Sequence, residues 1–222
     1  MKIQNITACV FDAYGTLFDV NSAAAKCKEK LGSRWEGFAN AWRTTQLEYT
    51  WLRSLMKKHK NFWEITEDSL DHTMETFKIK KEMKNELLNL YKELSPYPEV
   101  KECLEGLKSK KIKIAILSNG TPDLLEGLVE SNNIKNYFDD IMSVETVAIY
   151  KPDSKVYEMP IKKYNCKPEN ICFMSSNTWD VAGGGGFGYN AIWINRFNKV
   201  FDKLSYKPQF VISNLKELLK II

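Results

Sequence analysis

The stretch ACVFDAYGTL, residues 8–17, decides the fold prediction, because a carboxylate follows a short apolar run and precedes a glycine-containing loop. An apolar run of this length is typical of a buried β-strand, and the glycine marks the loop that leaves it. In open α/β sheets, ligands bind just outside the carboxyl ends of the strands. We therefore predict that Asp12 belongs to a functional site at the end of the first strand.

Apolar runs alternate with helical patterns in the second half of the chain. The runs that predict strands are residues 112–117, 141–144, 171–174, 191–194 and 210–212. Apolar residues at helical spacing around Leu104 and Leu125 predict helices between them, and residues 215–222 predict the last helix. This alternation predicts an α/β fold whose core is a Rossmann-like, mostly parallel sheet covered on both faces.

The chain between the first strand and Pro96 shows helical periodicity and no convincing strand. Two prolines within residues 95–98 cannot continue a helix, so they mark the return to the sheet. We therefore predict a core domain of residues 1–17 and 95–222, into which a helical-bundle cap domain of residues 18–94 is inserted.

The clearest helix of this predicted cap covers residues 39–58. An apolar stripe runs along it, formed by Leu47, Trp51, Leu52, Leu55 and Met56. This stripe fits either the core of a helical bundle or an interface. Arg43 continues the same row one turn earlier, and periodicity alone favours a side chain that extends from the end of the stripe into water.

The composition excludes several classes of function. The net charge is +4, from 32 basic and 28 acidic residues, so neither nucleic acid nor a membrane is an expected partner. No run approaches the roughly 20 apolar residues of a membrane helix, and no signal peptide precedes the first strand, so we expect a cytoplasmic protein. The 5 cysteines are scattered without a Cys-x-x-Cys pair, which argues against zinc or redox chemistry.

Polar residues follow several of the predicted strands. Asp12 ends the first, Ser118 and Asn119 end the second, and residues 175–177 end the fourth, while Lys151 precedes Pro152 at the predicted entry to a helix. The carboxyl ends of strands in a doubly wound sheet face one crevice, so these side chains should become neighbours. They predict a polar site for a small anionic ligand, and they leave the reaction open.

These segments resemble the corresponding motifs of the 2-haloacid dehalogenases. The matching motifs are residues 11–18, Trp42-Arg43 with residues 46–49, residues 117–120, residues 150–153, and residues 175–177 with Trp179-Asp180. The similarity covers essentially the whole chain. The aspartate loop and the lysine are shared with the wider haloacid dehalogenase superfamily, whereas Tyr14, Arg43 and the Ser-Ser-Asn segment point to the dehalogenase branch.

The resemblance implies a mechanism and a set of site residues. Asp12 is expected to act as the nucleophile on a short (S)-2-haloalkanoic acid, giving an aspartyl ester that water hydrolyses to an (R)-2-hydroxy acid and halide. The other catalytic positions fall on Thr16, Arg43, Ser118, Lys151, Tyr157, Ser175, Asn177 and Asp180. The substrate-binding positions fall on Ala13, Tyr14, Arg43, Leu47, Phe62, Ser118, Asn119 and Trp179. The resemblance implies no metal and no organic cofactor, and it implies a homodimer.

Two other functions remain open at this stage. A magnesium-dependent phosphatase of the same superfamily also uses an aspartate nucleophile, but it carries a second aspartate two residues later, where this chain has Tyr14. A tyrosine, with an ordinary pKa of about 10, cannot readily protonate a leaving alcohol at neutral pH. The second alternative is a catalytically silent binding protein that has kept the fold.

Two features depart from the pattern of the family. Thr178 stands where a small residue or proline is usual, and glycines fill residues 183–186. This glycine run formally contains G-x-G-x-x-G, but it lacks the preceding strand of a dinucleotide site, so we reject a nucleotide cofactor. Each glycine inside a helix costs about 1 kcal/mol relative to alanine, which predicts a looser helix and puts the placement of Asp180 in question.

Overall fold

The computed structural model of the protein describes residues 2–20 and 22–222, so Met1 and Asn21 of the predicted core and cap ranges lie outside it. Its centre is one parallel sheet in the order β3-β2-β1-β4-β5-β6. The strands are β1 (Ala8–Phe11), β2 (Lys113–Ser118), β3 (Asp140–Ser143), β4 (Ile171–Ser175), β5 (Asn190–Ile194) and β6 (Phe210–Ile212). The predicted strands are confirmed, with ends that shift by a residue.

The first strand lies in the middle of the sheet. Ala8 pairs with Lys113 of β2 on one side and with Ile171 of β4 on the other. All of β1 is buried, which explains why its sequence is uniformly apolar and does not alternate. The strand order reverses between β1 and β4, and this reversal is the switch point at which ligands bind in doubly wound sheets.

Helices connect the strands and also form a separate layer early in the chain. The helices of that layer are α1 (Ser22–Lys26), α2 (Lys28–Leu31), α3 (Trp35–Leu55), α4 (Phe62–Phe77) and α5 (Lys84–Tyr91). The helices that follow are α6 (Val100–Ser109), α7 (Pro122–Ser131), α8 (Ser154–Tyr164), α9 (Thr178–Phe187) and α10 (Leu218–Ile221). The prediction of a last helix over residues 215–222 needs correction, because residues 215–217 form a 3₁₀ turn before the short α10.

The buried face of α3 differs from the apolar stripe seen in the sequence. Phe38, Trp42, Gln46 and Thr50 face the interior, where α3 packs against α4. The polar members of this face are satisfied, since the Gln46 side-chain amide donates to Thr66 Oγ1 at 2.7 Å. The far end of the stripe is open to solvent: Leu52 is 50% exposed, Leu55 80% and Met56 59%. The stripe is therefore not the core of a helical bundle.

The chain leaves the sheet and returns to it along two adjacent segments. Phe18 and Pro96 form an antiparallel bridge, and the Tyr97 N–H donates to the Leu17 carbonyl at 2.9 Å. The proline segment that predicted the return thus lies directly beside the loop that follows Asp12. Across residues 2–20 and 22–222, no helix is long and apolar enough to cross a membrane.

Candidate active site

The sheet places Asp12 at the switch point between β1 and β4. Its backbone N–H donates to the Met174 carbonyl at 2.9 Å, which continues the β1–β4 pairing by one residue. The residue is only 4% exposed, so the carboxylate lies at the bottom of a site and not on the surface. A buried carboxylate needs hydrogen-bond donors or a counter-charge, and the neighbouring loops supply both.

Three side chains donate to the Asp12 carboxylate. Thr16 Oγ1 donates to Oδ2 at 3.0 Å, and Asn177 Nδ2 donates to the same oxygen at 2.9 Å. Lys151 Nζ contacts Oδ1 at 3.2 Å. The three residues come from the loop after β1, the loop after β4 and the start of the segment leading into α8. The predicted convergence of strand-end residues is therefore present around Asp12.

Lys151 links Asp12 to a second buried carboxylate. Its ammonium is fully buried and lies 2.9 Å from Asp180 Oδ2, while Tyr157 OH donates to Asp180 Oδ1 at 2.7 Å. Burial opposes the charge on Lys151, but Asp12 and Asp180 outweigh burial and hold its pKa above the ordinary value. Burial raises the pKa of the Asp180 carboxyl, although Lys151 opposes the shift. Asp180 is thus a stronger base than an ordinary aspartate.

The predicted residues at the ends of β2 and β4 shape the loops that follow these strands, and they do not all reach Asp12. Ser118 Oγ accepts a hydrogen bond from the Gly120 N–H at 3.1 Å, and Ser175 Oγ accepts one from the Asn177 N–H at 3.1 Å. Asn119 Oδ1 accepts one from the Lys151 N–H at 3.2 Å. Ser118 and Ser175 therefore fix the backbone turns that carry Asn119 and Asn177.

The segment before α8 differs slightly from the prediction. Asp153 caps the helix by accepting a hydrogen bond from the Lys155 N–H at 2.9 Å, so α8 begins at Ser154. Pro152 consequently precedes the helix and does not occupy its first turn. Lys151 is held by the turn between β3 and α8, and not by a helix end.

Arg43 faces the site. It is half-buried, its guanidinium donates to Gln46 Oε1 at 2.8 Å, and it lines a cleft of about 310 Å³ together with Tyr14, Asn177 and Trp179. The expectation that Arg43 extends into bulk water was wrong, because the helix turns this residue toward the loop after β1. The cleft thus combines the predicted cation with residues beside the nucleophile.

The remaining predicted substrate-binding residues do not all line this cleft. Phe62 is fully buried with its ring centroid 5.3 Å from that of Tyr14, and Ala13 is buried beside Asp12. Trp179 lines the cleft and packs edge-on against Trp51 at 5.4 Å. Leu47 is half-buried one turn after Arg43 and does not line this cleft.

An arginine that the sequence did not single out holds the loops around Asp12. Arg196 pairs with Glu99 at 2.7 Å, donates to the Thr16 carbonyl at 2.9 Å and to Ser176 Oγ at 3.0 Å. A longer contact of 3.5 Å reaches the Gly15 carbonyl. Every N–H of its guanidinium thus has an acceptor. Only its place two residues after β5 could have indicated a role.

The glycine run lies inside α9 and packs tightly there. A Cβ on Gly183 would lie 2.5 Å from the Tyr157 oxygen and 2.9 Å from Pro152 Cβ, and a Cβ on Gly184 would lie 2.8 Å from the Phe173 ring. These glycines let α9 approach α8 and β4 closely, and Asp180 contacts Lys151 as described above. This close packing argues against the loosening expected from helix propensity, which stays a prediction. The predicted context of the run is confirmed, because it lies inside a helix and β5 follows it.

Comparisons with known proteins agree with this architecture. The family profile of haloacid dehalogenase-like hydrolases matches residues 6–188. The (S)-2-haloacid dehalogenase 1 of Pseudomonas sp. (strain CBS-3) is 42% identical over 220 residues, which cover 98% of this chain and 96% of that protein. A crystal structure of a dehalogenase matches with a TM-score of 0.97 and 36% identity over 99% of this chain and 98% of its own.

A further solved structure is the L-2-haloacid dehalogenase of Xanthobacter autotrophicus with chloropropionic acid covalently bound, which matches with a TM-score of 0.90 and 32% identity over 97% of both chains. The fold, the aspartate at its switch point and the family profile define a hydrolase of the haloacid dehalogenase-like class. Within this class the chain belongs to the (S)-2-haloacid dehalogenases, hydrolases that act on carbon–halide bonds.

Proposed function

We propose that the protein hydrolyses short (S)-2-haloalkanoic acids to (R)-2-hydroxy acids through an ester on Asp12. The observation that carries this proposal is the Asp12 carboxylate itself, which is buried, held by three donors and adjacent to a cleft lined by Arg43. A carboxylate oriented in this way can approach a bound carbon centre along one line. The covalent chloropropionate of the Xanthobacter relative supports the same chemistry.

The first step is substitution at the α-carbon. An Asp12 carboxylate oxygen forms a bond to C2 while the carbon–halogen bond breaks, and the electron pair leaves with the halogen as halide. Arg43 and Asn119 would receive the developing negative charge, a stabilisation that grows toward the transition state. The carboxylate of the substrate would lie against the Ser118 turn and nearby backbone N–H groups.

The second step is hydrolysis of the aspartyl ester. Asp180, with its raised pKa, would accept a proton from water as the water attacks the ester carbonyl of Asp12. Thr16 and Asn177 hold the nucleophile in place, and Tyr157 and Lys151 orient Asp180. Because only the first step changes C2, the product has inverted configuration. The scheme needs water and releases halide, and it uses no metal or organic cofactor.

The experiment measures halide release from 2-chloropropionate and chloroacetate without magnesium, beside a phosphatase assay with magnesium. We expect halide release by the wild type and none by Asp12→Asn, whereas Asp68→Asn, a carboxylate paired with Arg53 in the helical layer, keeps its activity. With enzyme in excess over substrate in heavy-oxygen water, the label should enter Asp12, because water attacks the ester carbonyl. Equal halide release by the wild type and Asp12→Asn would refute the proposal.

We also propose the domain division, the assembly and the location expected from the sequence. Residues 18–94 would form a cap over a core of residues 1–17 and 95–222, which is supported by the paired segments at Phe18 and Pro96. The exposed end of the α3 stripe supports a homodimer, which a measurement of solution mass would test. Free, mostly buried cysteines suit a reducing cytoplasm, and cell fractionation would test that location.

A further inference from the structure

The Tyr14 hydroxyl is a buried donor that no group of the described residues accepts from. Tyr14 is 2% exposed, and within the described residues its side-chain oxygen has no hydrogen-bond partner. Buried hydroxyls almost always have partners, because leaving one unpaired destabilises the folded protein. An exception beside a nucleophile suggests that the partner is something the site binds.

The hydroxyl lies against the loop that carries Ser118 and Asn119. A Cβ placed on Gly120 would be 3.0 Å from the Tyr14 oxygen, so the absence of a side chain at Gly120 makes room for the phenol. Tyr14 also lines the cleft beside Arg43. The hydroxyl thus lies close to both residues that the proposed mechanism assigns to the departing halide.

The surroundings of the phenol keep it a neutral donor. The Phe62 and Tyr91 rings lie 5.3 and 5.7 Å from the Tyr14 ring, centroid to centroid. Burial raises the pKa of Tyr14 well above its ordinary value, so the hydroxyl stays protonated throughout the working pH range. One neutral donor in an aromatic wall suits a monatomic ion better than a carboxylate, which has two oxygens to satisfy.

We propose that the Tyr14 hydroxyl donates a hydrogen bond to the halogen as it leaves, beside Arg43 and Asn119. The carbon–halogen electron pair departs with the halide, and the proton stays on the Tyr14 oxygen. This inference rests on the proposed function. It assigns a catalytic role to the Tyr14 hydroxyl, which takes part in neither of the two proposed steps. It also gives the residue that replaces the second aspartate of the phosphatases a role in halide departure.

The test compares the wild type with Tyr14→Phe, which removes only the oxygen. Halide release is measured in single turnovers, with enzyme in excess, on 2-chloro-, 2-bromo- and 2-iodopropionate. We expect a loss of roughly ten- to a hundredfold with the chloro substrate, the size of a hydrogen bond to an ion. The loss should shrink for bromide and again for iodide, because heavier halides accept hydrogen bonds more weakly. All three substrates give the same ester, so its hydrolysis cannot contribute to the trend.

Tyr91→Phe is the matched control, because its hydroxyl belongs to the same aromatic cluster but is hydrogen-bonded to Gln46 at 3.1 Å. It should change the three rates by one common factor. Tyr14→Phe should unfold at the same temperature as the wild type or higher, whereas a lower temperature would mean that the hydroxyl already has a partner and would overturn the inference. Equal slowing of all three substrates by Tyr14→Phe, or none, would also overturn it and leave the proposed function standing. Absence of halide release by the wild type would overturn both this inference and the proposed function.

Discussion

At the scale of single residues, Lys151 joins the proposed nucleophile to the proposed base. One fully buried ammonium lies 3.2 Å from Asp12 and 2.9 Å from Asp180. Its charge compensates two carboxylates that would otherwise repel each other at short range. Both carboxylates interact with the same nitrogen atom, so a change in the charge of one alters the electrostatic stabilisation of the other. The two proposed chemical steps are therefore electrostatically coupled.

Arg196→Lys should lower kcat by roughly ten- to a hundredfold with a much smaller change in KM. Lysine keeps the charge but lacks the planar set of donors that reaches Glu99, the Thr16 carbonyl and Ser176 together. Loosening Thr16 displaces the Asp12 carboxylate, and small displacements of a nucleophile are costly. Steady-state kinetics on 2-chloropropionate measures the effect.

Arg53→Lys is the control for this substitution, because Arg53 also pairs with a carboxylate, Asp68 at 2.7 Å, but within the helical layer. Its kinetics should match those of the wild type. If Arg196→Lys kept the kcat of the wild type, Arg196 would have no role in placing the nucleophile. The same would follow if the kinetics of Arg196→Lys did not differ from those of Arg53→Lys.

The sequence allowed most polar residues around Asp12 to be predicted, because they follow parallel strands whose carboxyl ends converge. Asn177 is found where this rule expects it, whereas Lys151 was predicted from its place before Pro152. Glu99 and Arg196 could not be paired in advance, since nothing local distinguishes a buried ion pair between distant segments from two solvated side chains. Periodicity alone favoured a solvated Arg43, because it gives a side chain's row on a helix but not what the row faces, whereas the family resemblance placed Arg43 in the site.

At the scale of elements, α9 shows that a glycine run can serve close packing as well as flexibility. Gly183→Ala should lower kcat, because the added Cβ would meet Tyr157 at 2.5 Å and displace it from Asp180. The expected loss is on the order of tenfold or more, as for other displaced catalytic groups. Halide-release kinetics measures it.

Gly185→Ala is the matched control within the same helix. Its Cβ would find Ala191 at 3.6 Å and Tyr206 at 3.7 Å, which are ordinary contacts. The variant should therefore keep its activity and gain up to about 1 kcal/mol in the free energy of unfolding from helix propensity. Urea unfolding reports this gain. Unchanged activity in both variants would mean that α9 does not position Tyr157.

The strands were predictable to within a residue, whereas the buried face of α3 was not. Strands such as β1 are buried on both sides, so a run of apolar residues is sufficient to identify them. In α3 the interior contains Gln46 and Thr50, whose polar groups are satisfied by partners elsewhere in the layer and by the helix itself. Hydrophobic periodicity cannot detect a buried face that contains polar residues. It therefore indicated the more apolar stripe of α3, which is partly exposed.

At the scale of the whole molecule, the helical layer and the lysine-bearing turn are joined by several contacts. Glu145 accepts a hydrogen bond from the Phe62 N–H at 2.9 Å and contacts His59 Nε2 at 2.8 Å. Tyr150 OH donates to the Lys60 carbonyl at 2.6 Å. The turn that ends in Lys151 is thus fastened to the loop between α3 and α4. Displacement of the layer would move the wall of the cleft and the turn carrying Lys151 together.

The protein should lose stability in alkali through its buried thiols. Burial raises the pKa of Cys103 from 9.0 to about 12, so the folded state keeps a proton that the unfolded chain releases. The contribution of Cys103 is complete below pH 9 and is lost as the pH rises toward 12. The free energy of unfolding should fall over this range by up to about 1.4 kcal/mol per pH unit for this group.

Urea unfolding of Cys103→Ala at pH 8 to 11 checks this dependence. The variant should be less stable at pH 8, because it leaves a small cavity, but its stability should fall less steeply with pH. Cys166→Ala, which removes a half-buried thiol, should change the slope less. A slope for Cys103→Ala as steep as that of the wild type would contradict the assignment.

The central position of β1 has a consequence for protein synthesis. Among the six strands β1 is synthesised before the others, yet Ala8 pairs only with Lys113 and Ile171, which a ribosome adds much later. A fully apolar segment therefore remains without its neighbours while the whole helical layer emerges, and such segments are prone to intermolecular association. Chaperones or early collapse of the helical layer would shield the nascent strand until β2, and finally β4, leave the exit tunnel.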